Sequence, residues 1–249
     1  MICYLIDLDG TLLVDSHAVN GAVEFISELN RRGREYLLIT NGSTNAPETL
    51  SQLLYRENIE IEKERIITSA ELTAAYLAKY HSEKTVYCIG SVWLKKCLEK
   101  ANIKMDSDSA DMVLTGYDEH ISIALLNKAI DLILNGAGYI STNDDLCIPS
   151  GKGVKPHTGC INQILYQATE KKPIIIGKPS QYFLEMIQQR TQAESFCMIG
   201  DSMKTDVNFA IKNNMKMYLV ESKVTEMEMI RCHKLIQKVK NLKTIIQYL

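Results

Sequence analysis

Short apolar segments alternate with amphipathic stretches along almost the whole chain, and this alternation limits the fold more than any other feature. Residues 2–6 and 36–39 are apolar on both faces, which is typical of strands buried in a parallel sheet. Apolar residues at helical spacing separate them, over residues 19–29. The same pattern predicts further strands at residues 66–68, 85–89, 112–115, 137–142, 174–176, 196–199 and 217–220. Strands that alternate with helices predict βαβ units, and therefore an α/β fold with a mainly parallel sheet.

Polar side chains follow four of these predicted strands, at the point where each strand ends. They are Asp7 and Asp9, Thr40 and Asn41, Lys178, and Asp201 with Asp206. In parallel sheets, ligands bind beyond the carboxyl ends of the strands, near a switch in strand order. We therefore expect these side chains to form one site.

The residue types in this group indicate phosphoryl chemistry. Four aspartates in one cleft would repel each other unless a cation lay between them, and oxygen ligands favour Mg²⁺. A lysine and a threonine hydroxyl supply donors for an anion, which suits a phosphoryl group. One aspartate would then attack phosphorus, and another would handle the proton of the leaving oxygen.

Two other interpretations of these motifs fail on spacing. A calcium loop starting at Asp7 needs glycine at its sixth position and glutamate at its twelfth, where this chain has Leu12 and Ala18. A P-loop at Lys178 needs serine or threonine next, where this chain has Pro179.

The composition narrows the class of protein. The chain has 249 residues, a net charge of −2 and 23% charged residues of both signs, so nothing predicts binding to nucleic acid. Its seven cysteines are odd in number and contain no C-x-x-C, which favours a reducing, cytoplasmic location without structural disulfides. The apolar start is too short to predict a signal peptide, and no stretch approaches the ~20 apolar residues of a membrane span.

Taken in order, the motifs D-x-D-G-T-L, T-N, G-K-P and G-D-x-x-x-T-D resemble those of the haloacid dehalogenase (HAD) superfamily. Roughly 135 residues separate the second motif from the third, which is too long for a simple connection. This insertion resembles the type C2 cap of the NagD-like subfamily, and S-T-N-D-D at 141–145 resembles that cap's T-N-P-D segment. The resemblance implies a Rossmann-like core, residues 1–70 plus 174–249, and an inserted α/β cap, residues 71–173.

The resemblance also implies a role for each catalytic position. Asp7 would be the nucleophile, and Asp9 the general acid and base. Thr40 and the amide of Asn41 would hold the phosphoryl oxygens, and Lys178 would neutralise nucleophile and phosphate. Gly42, where the subfamily often has asparagine, would belong to the same phosphate-binding segment.

The implied metal is Mg²⁺. Asp7, the backbone carbonyl of Asp9, and Asp201 would ligate it, while Asp206 would orient its water. In the cap, Asn143 and Asp144 would face the cleft. Residues 150–157 contain two glycines, two lysines and a histidine, and would either contact the polar part of a substrate or form a solvated surface loop.

The resulting hypothesis is a Mg²⁺-dependent phosphatase that hydrolyses a small phosphorylated metabolite, of the nucleotide or sugar phosphate class, through an aspartyl-phosphate. A phosphomutase or other phosphotransferase would use the same nucleophile. A receiver-like regulator is disfavoured by the length, and a non-catalytic phosphometabolite-binding protein by the retained acid pair. No nucleic acid or membrane partner is expected, whereas exposed cap surfaces are compatible with a homodimer. An apolar stripe over residues 227–239 predicts a further helix.

Overall fold

A computed structural model describes residues 1–106, 108–150, 153–221 and 234–249. The strands are β1 (Ile2–Asp7), β2 (Leu13–Val14), β3 (His17–Ala18), β4 (Glu35–Thr40), β5 (Ile66–Thr68), β6 (Val86–Ile89), β7 (Met112–Thr115), β8 (Gly138–Ser141), β9 (Cys147–Ser150), β10 (Gly153–Pro156), β11 (Ile174–Ile175), β12 (Ser195–Gly200), β13 (Lys216–Val220) and β14 (Ile236–Val239). The α-helices are α1 (Ala22–Arg31), α2 (Pro47–Arg56), α3 (Ser69–Tyr80), α4 (Val92–Lys100), α5 (Ile123–Leu134), α6 (Thr158–Thr169), α7 (Gln181–Gln188) and α8 (Asn208–Lys212).

Two parallel sheets organise these elements. The larger has the order β14-β13-β12-β1-β4-β5, and the smaller has the order β11-β8-β7-β6. Two antiparallel hairpins, β2-β3 and β9-β10, complete the strand pairing. The predicted α/β class, a Rossmann-like sheet with an inserted α/β unit, is thus confirmed.

Strand β1 lies in the middle of the larger sheet and is covered on both faces. Cys3 and Leu5 pack into one apolar cluster, while Tyr4 and Ile6 pack into a second cluster on the opposite face. This alternation is the period of two expected of a strand, and burial on both faces explains its continuous apolar sequence.

The smaller sheet is packed against the larger one through a continuous apolar cluster. This shared cluster contains Leu5 of the larger sheet, Leu77 of α3, Leu98 of α4 and Leu114 of the smaller sheet, all essentially inaccessible to solvent. Burying one such side chain contributes about 1.5–3 kcal/mol, so the contact between the two sheets is strongly favoured.

Strand β11 belongs to the smaller sheet, where it pairs with β8. The prediction had placed residue 174 in the core together with the residues that follow it. An apolar strand pattern indicates burial but does not say which sheet buries the strand.

The predicted helix over residues 227–239 is wrong at its described end. Ile236–Val239 forms β14, the edge strand that pairs with β13, and Val239 packs into the second cluster while Gln237 and Lys238 are exposed. The remainder of that stretch, residues 227–233, lies outside the described residues. Among the described helices, none combines the length and apolar character needed to cross a membrane.

Candidate active site

Three neighbouring strands of the larger sheet bring the predicted polar residues to one edge. Strand β1 lies between β12 and β4, and all three run in the same direction. Asp7 is the last residue of β1, Thr40 is the last residue of β4, and Asp201 directly follows β12. The chain leaves β1 towards β4 on one side and returns to β12 on the other, which is the switch point where α/β sheets bind ligands.

Three buried carboxylates meet at this edge. Asp7, Asp201 and Asp206 each offer an oxygen, and these oxygens lie within 4.8 Å of one another. Asp206 also accepts hydrogen bonds from the backbone amides of Asp201 and Ser202, at 3.2 and 3.1 Å. We call these three aspartates the acid cluster. Buried carboxylates this close are stable only with a cation, and an all-oxygen donor set fits Mg²⁺.

Lys178 supplies one positive charge to the acid cluster. Its Nζ lies 2.5 Å from Oδ1 of Asp7 and 2.8 Å from Oδ1 of Asp206. Burial disfavours its charged form, but the attraction of Asp206 and Asp7 outweighs burial and raises the pKa of Lys178. Burial raises the pKa of Asp7, the neighbouring carboxylates add to this, and Lys178 opposes it. The single positive charge of Lys178 does not balance the charges of three carboxylates, and a bound divalent metal ion would balance the remainder.

Asp9 lies at the mouth of the site beside Thr40. The Thr40 hydroxyl donates to Oδ2 of Asp9 at 3.2 Å and accepts from the backbone amide of Gly42 at 2.9 Å. Asp9 is open to the cleft, yet the protein around it removes enough water to raise the pKa of its carboxyl above the usual value. A carboxyl group with a raised pKa can hold a proton and donate it.

Gly10 permits the close approach of two site segments. Its φ is +96°, a conformation that side-chain-bearing residues rarely adopt, and a Cβ there would overlap the carboxylate of Asp201. The glycine of the first motif is thus required by packing against the acid cluster.

The Asn41 side chain joins the two sheets. Its Nδ2 donates to Oδ2 of Asp145 at 2.8 Å and to the carbonyl of Lys178 at 3.2 Å, and its Oδ1 accepts from the amide of Lys178 at 2.8 Å. The side chain therefore fixes the position of the lysine, in addition to any contact that the Asn41 backbone makes with phosphate.

The cap residues predicted to face the cleft lie elsewhere. Asn143 is fully buried and donates to the carbonyl of Asn41 at 2.8 Å, while the exposed Asp144 accepts from Asn162 at 3.0 Å. Asp145 lines the cleft instead. Burial raises the pKa of Asp145 to about 6, partly offset by Asn41. Within this segment, Asp145 is therefore the residue that faces the cleft.

Two adjoining cavities form the cleft. The acidic cavity, about 80 Å³, is lined by the acid cluster residues Asp7 and Asp201 together with Lys178. The adjoining cavity, about 140 Å³, extends towards α2 and shares Asp9 and His157 with the first. His157 had been predicted only as part of a loop that contacts substrate or solvent, and the structure places it, buried, in both cavity walls.

Comparisons with known proteins agree on the family. The family model described as haloacid dehalogenase-like hydrolase matches residues 4–104, and a second HAD-hydrolase-like model matches residues 175–242. The chain is 32% identical to the 5'-nucleotidase YutF of Bacillus subtilis, over 90% of this chain and 89% of that protein. It is 33% identical to the acid sugar phosphatase of Staphylococcus haemolyticus, over 92% and 88%. The solved 4-nitrophenylphosphatase of Thermotoga maritima superposes with a TM-score of 0.90 at 26% identity, covering 98% of this chain and 96% of that one.

Proposed function

This chain belongs to the NagD-like group of the haloacid dehalogenase superfamily and is a phosphoric monoester hydrolase, and we propose that it works with Mg²⁺ through a phosphorylated Asp7. One observation carries the mechanism: Lys178 contacts Asp7 within the acid cluster, and Asp9 lies beside that cluster. A carboxylate that is held next to a cation, with a second carboxyl group of raised pKa nearby, forms a nucleophile and acid pair.

Each residue has a defined part in the first half of the reaction. A carboxylate oxygen of Asp7 bonds to phosphorus while the bond from phosphorus to the leaving oxygen breaks. Asp9 donates its proton to that oxygen, which departs as an alcohol. Lys178 offsets the charge of the phosphoryl oxygens, and the Thr40 hydroxyl and nearby backbone amides orient them.

The second half returns the protein to its starting state. A water molecule gives its proton to Asp9 and attacks phosphorus, the bond to Asp7 breaks, and inorganic phosphate leaves. Bound Mg²⁺, held by the acid cluster, would add the positive charge that brings the anionic phosphate beside anionic carboxylates.

The domain division follows from the two sheets. We propose a catalytic core around the larger sheet and a cap around the smaller one, with the second boundary after residue 175 because β11 pairs within the smaller sheet. Substrates of the nucleotide or sugar phosphate class are proposed from the names of the two relatives. The odd cysteine count supports a cytoplasmic location.

The test compares the wild type with Asp7→Asn, using 4-nitrophenyl phosphate with Mg²⁺ or with EDTA. We expect Mg²⁺-dependent release of phosphate by the wild type and a loss of at least about 10³-fold in the variant. Asp131→Asn, the same change on an exposed face of α5, is the matched control and should retain activity.

A phosphoryl adduct provides the second measurement. Acid-quenched wild type should carry one phosphoryl group on the peptide that contains Asp7, as seen by mass spectrometry. Full activity of Asp7→Asn, or activity that persists in EDTA, contradicts the mechanism. An adduct that forms but releases phosphate only to a sugar hydroxyl would identify a phosphotransferase.

A further inference from the structure

His157 stands in the wall of both cavities, and the catalytic steps above do not use it. It directly precedes α6, is only 5% exposed, and its ring stacks on Tyr117 with 5.1 Å between ring centroids and 13° between planes. The stacking and the burial fix the orientation of the imidazole, which therefore presents the same edge to any ligand.

The hydrogen bonds around Asn143 determine which ring nitrogen carries the proton. Its Nδ2 donates to the carbonyl of Asn41 at 2.8 Å, and its Oδ1 accepts from the amide of Asp145 at 3.2 Å. These two backbone groups leave no choice in the orientation of the Asn143 amide. Because Nδ1 of His157 lies 3.2 Å from the same Oδ1, Nδ1 must carry the hydrogen.

The other ring nitrogen, Nε2, is then an acceptor. In the part of the chain that the structure describes, Nε2 makes no hydrogen bond to protein, and it is not sealed from solvent. Burial lowers the pKa of His157 to about 4, so the ring stays neutral near pH 7 and Nε2 keeps its lone pair. Nε2 is thus an acceptor held at a fixed place in the cavity wall.

The surrounding wall indicates what kind of group would meet that acceptor. The adjoining cavity has both apolar and neutral polar walls, and none of its described lining residues is a lysine or arginine. Its leucines are Leu8, Leu13, Leu50 and Leu53, and its neutral polar residues include Ser16, Thr44 and Asn45. An anionic leaving group would find no countercharge there, whereas a small neutral group would pack against the leucines.

We propose that His157 is a specificity residue, whose Nε2 accepts a hydrogen bond from a hydroxyl of the leaving group and thereby selects small, neutral, hydroxylated phosphomonoesters. This rests on the proposed function, because the adjoining cavity receives the leaving group only if Asp7 and Asp9 act as described.

Matched substrates isolate this contact. sn-Glycerol 3-phosphate and n-propyl phosphate have similar size and differ in their hydroxyl groups, and 3-phosphoglycerate adds a carboxylate. We expect the wild type to favour glycerol phosphate over propyl phosphate by about 10-fold in kcat/KM, the effect of about one buried hydrogen bond. 3-Phosphoglycerate should be the poorest of the three.

Two variants separate the cavity contact from the structural one. His157→Asn can retain the donor to Asn143 but cannot reach the position of Nε2, so its preference for glycerol phosphate should fall to within about 2-fold of unity. His157→Gln can place an amide oxygen near the position of Nε2 and should keep a preference of about 5-fold. Because the result is a ratio of two substrates in one variant, a general loss of activity cancels, and melting temperatures verify folding.

Each outcome decides the matter. A wild type without preference, or His157→Asn with an unchanged preference, overturns the specificity role and leaves the proposed function intact if 4-nitrophenyl phosphate is still hydrolysed. If the wild type hydrolyses none of these esters with Mg²⁺, the proposed function fails, and the role of His157 falls with it. Should His157→Asn not fold, His157→Gln still decides, because its preference should fall from about 10-fold to about 5-fold and an unchanged 10-fold preference overturns the role.

Discussion

The burial of His157 should make the protein specifically sensitive to acid. Its imidazole is neutral in the folded state, with a pKa lowered by burial from 6.5 to about 4. As the pH falls through this interval, the unfolded chain takes up a proton at His157 that the folded protein does not, so acid favours unfolding. Replacing His157 with glutamine removes this one titrating group and leaves the others in place.

The size of the effect follows from the two pKa values. Each pKa unit corresponds to ~1.36 kcal/mol, so the lost free energy of unfolding reaches about 3 kcal/mol near pH 4 and about 2 kcal/mol at pH 5. Between pH 7.5 and pH 5, the wild type should therefore lose about 2 kcal/mol more than His157→Gln. At pH 7.5 His157 contributes nothing to this difference, because it is neutral in both states.

Urea unfolding followed by circular dichroism, at half-unit steps from pH 7.5 to pH 5, measures this difference. EDTA is present throughout, so that metal binding does not add its own pH dependence. Parallel stability curves for the two proteins would refute the burial argument, since the wild-type imidazole would then titrate alike in the folded and unfolded states.

Three further outcomes follow from the site. Lys178→Met leaves the acid cluster without its lysine and should destabilise the protein by about 3–5 kcal/mol in EDTA. Mg²⁺ should then raise the melting temperature of the variant more than that of the wild type. Equal effects of Mg²⁺ on the two proteins would contradict the view that Lys178 offsets the charge of the acid cluster. Asp145→Asn removes a carboxyl group whose pKa is about 6 in the folded protein, and charging that group costs stability as the pH rises from 3.8 through 6. In EDTA the variant should therefore be more stable than the wild type by up to about 3 kcal/mol at pH 7.5, and by only about 0.5 kcal/mol at pH 4. Gly10→Ala adds a Cβ against Asp201 at a residue with positive φ, and calorimetry should show Mg²⁺ binding weakened by at least about 10-fold. Gly136 also has a positive φ, but no atom lies near its Cβ position, so Gly136→Ala should bind Mg²⁺ as the wild type does.

The sequence was sufficient to predict five of the six strands of the larger sheet and the residues at its carboxyl edge. Buried parallel strands have continuous apolar sequences, and a polar residue at their end must lie where the strands stop. Asp7, Thr40 and Asp201 follow this rule, so their proximity could be predicted without knowing a single contact. Lys178 was predicted for the same site, although its strand belongs to the other sheet.

The parts that could not be predicted depend on long-range packing. In a loop such as that at residues 142–145, neighbouring residues point in different directions, and only the tertiary contacts determine that Asp145 faces the cleft while Asn143 is buried. Similarly, the choice between helix and strand at Ile236–Val239 is decided by the exposed edge of β13, with which it pairs. The glycines and lysines of residues 150–157 predicted a loop that includes His157, but no feature of the local sequence indicated that its ring stacks on Tyr117.

The hydrogen bonds that run between the two sheets also bear on how tightly ligands of different size can bind. To separate the two sheets, the protein must break the hydrogen bond from Asn41 to Asp145 and the one from Asn143 to the carbonyl of Asn41, and it must also expose the shared cluster. A conformation with the sheets apart is therefore rare at equilibrium. A ligand that fits the joined cavities binds without that conformation, whereas a larger ligand has its intrinsic affinity reduced by the small fraction of molecules that are open. The amide hydrogen of Tyr117, which donates to the Ser43 hydroxyl across the two sheets, would report that fraction through its exchange rate with solvent.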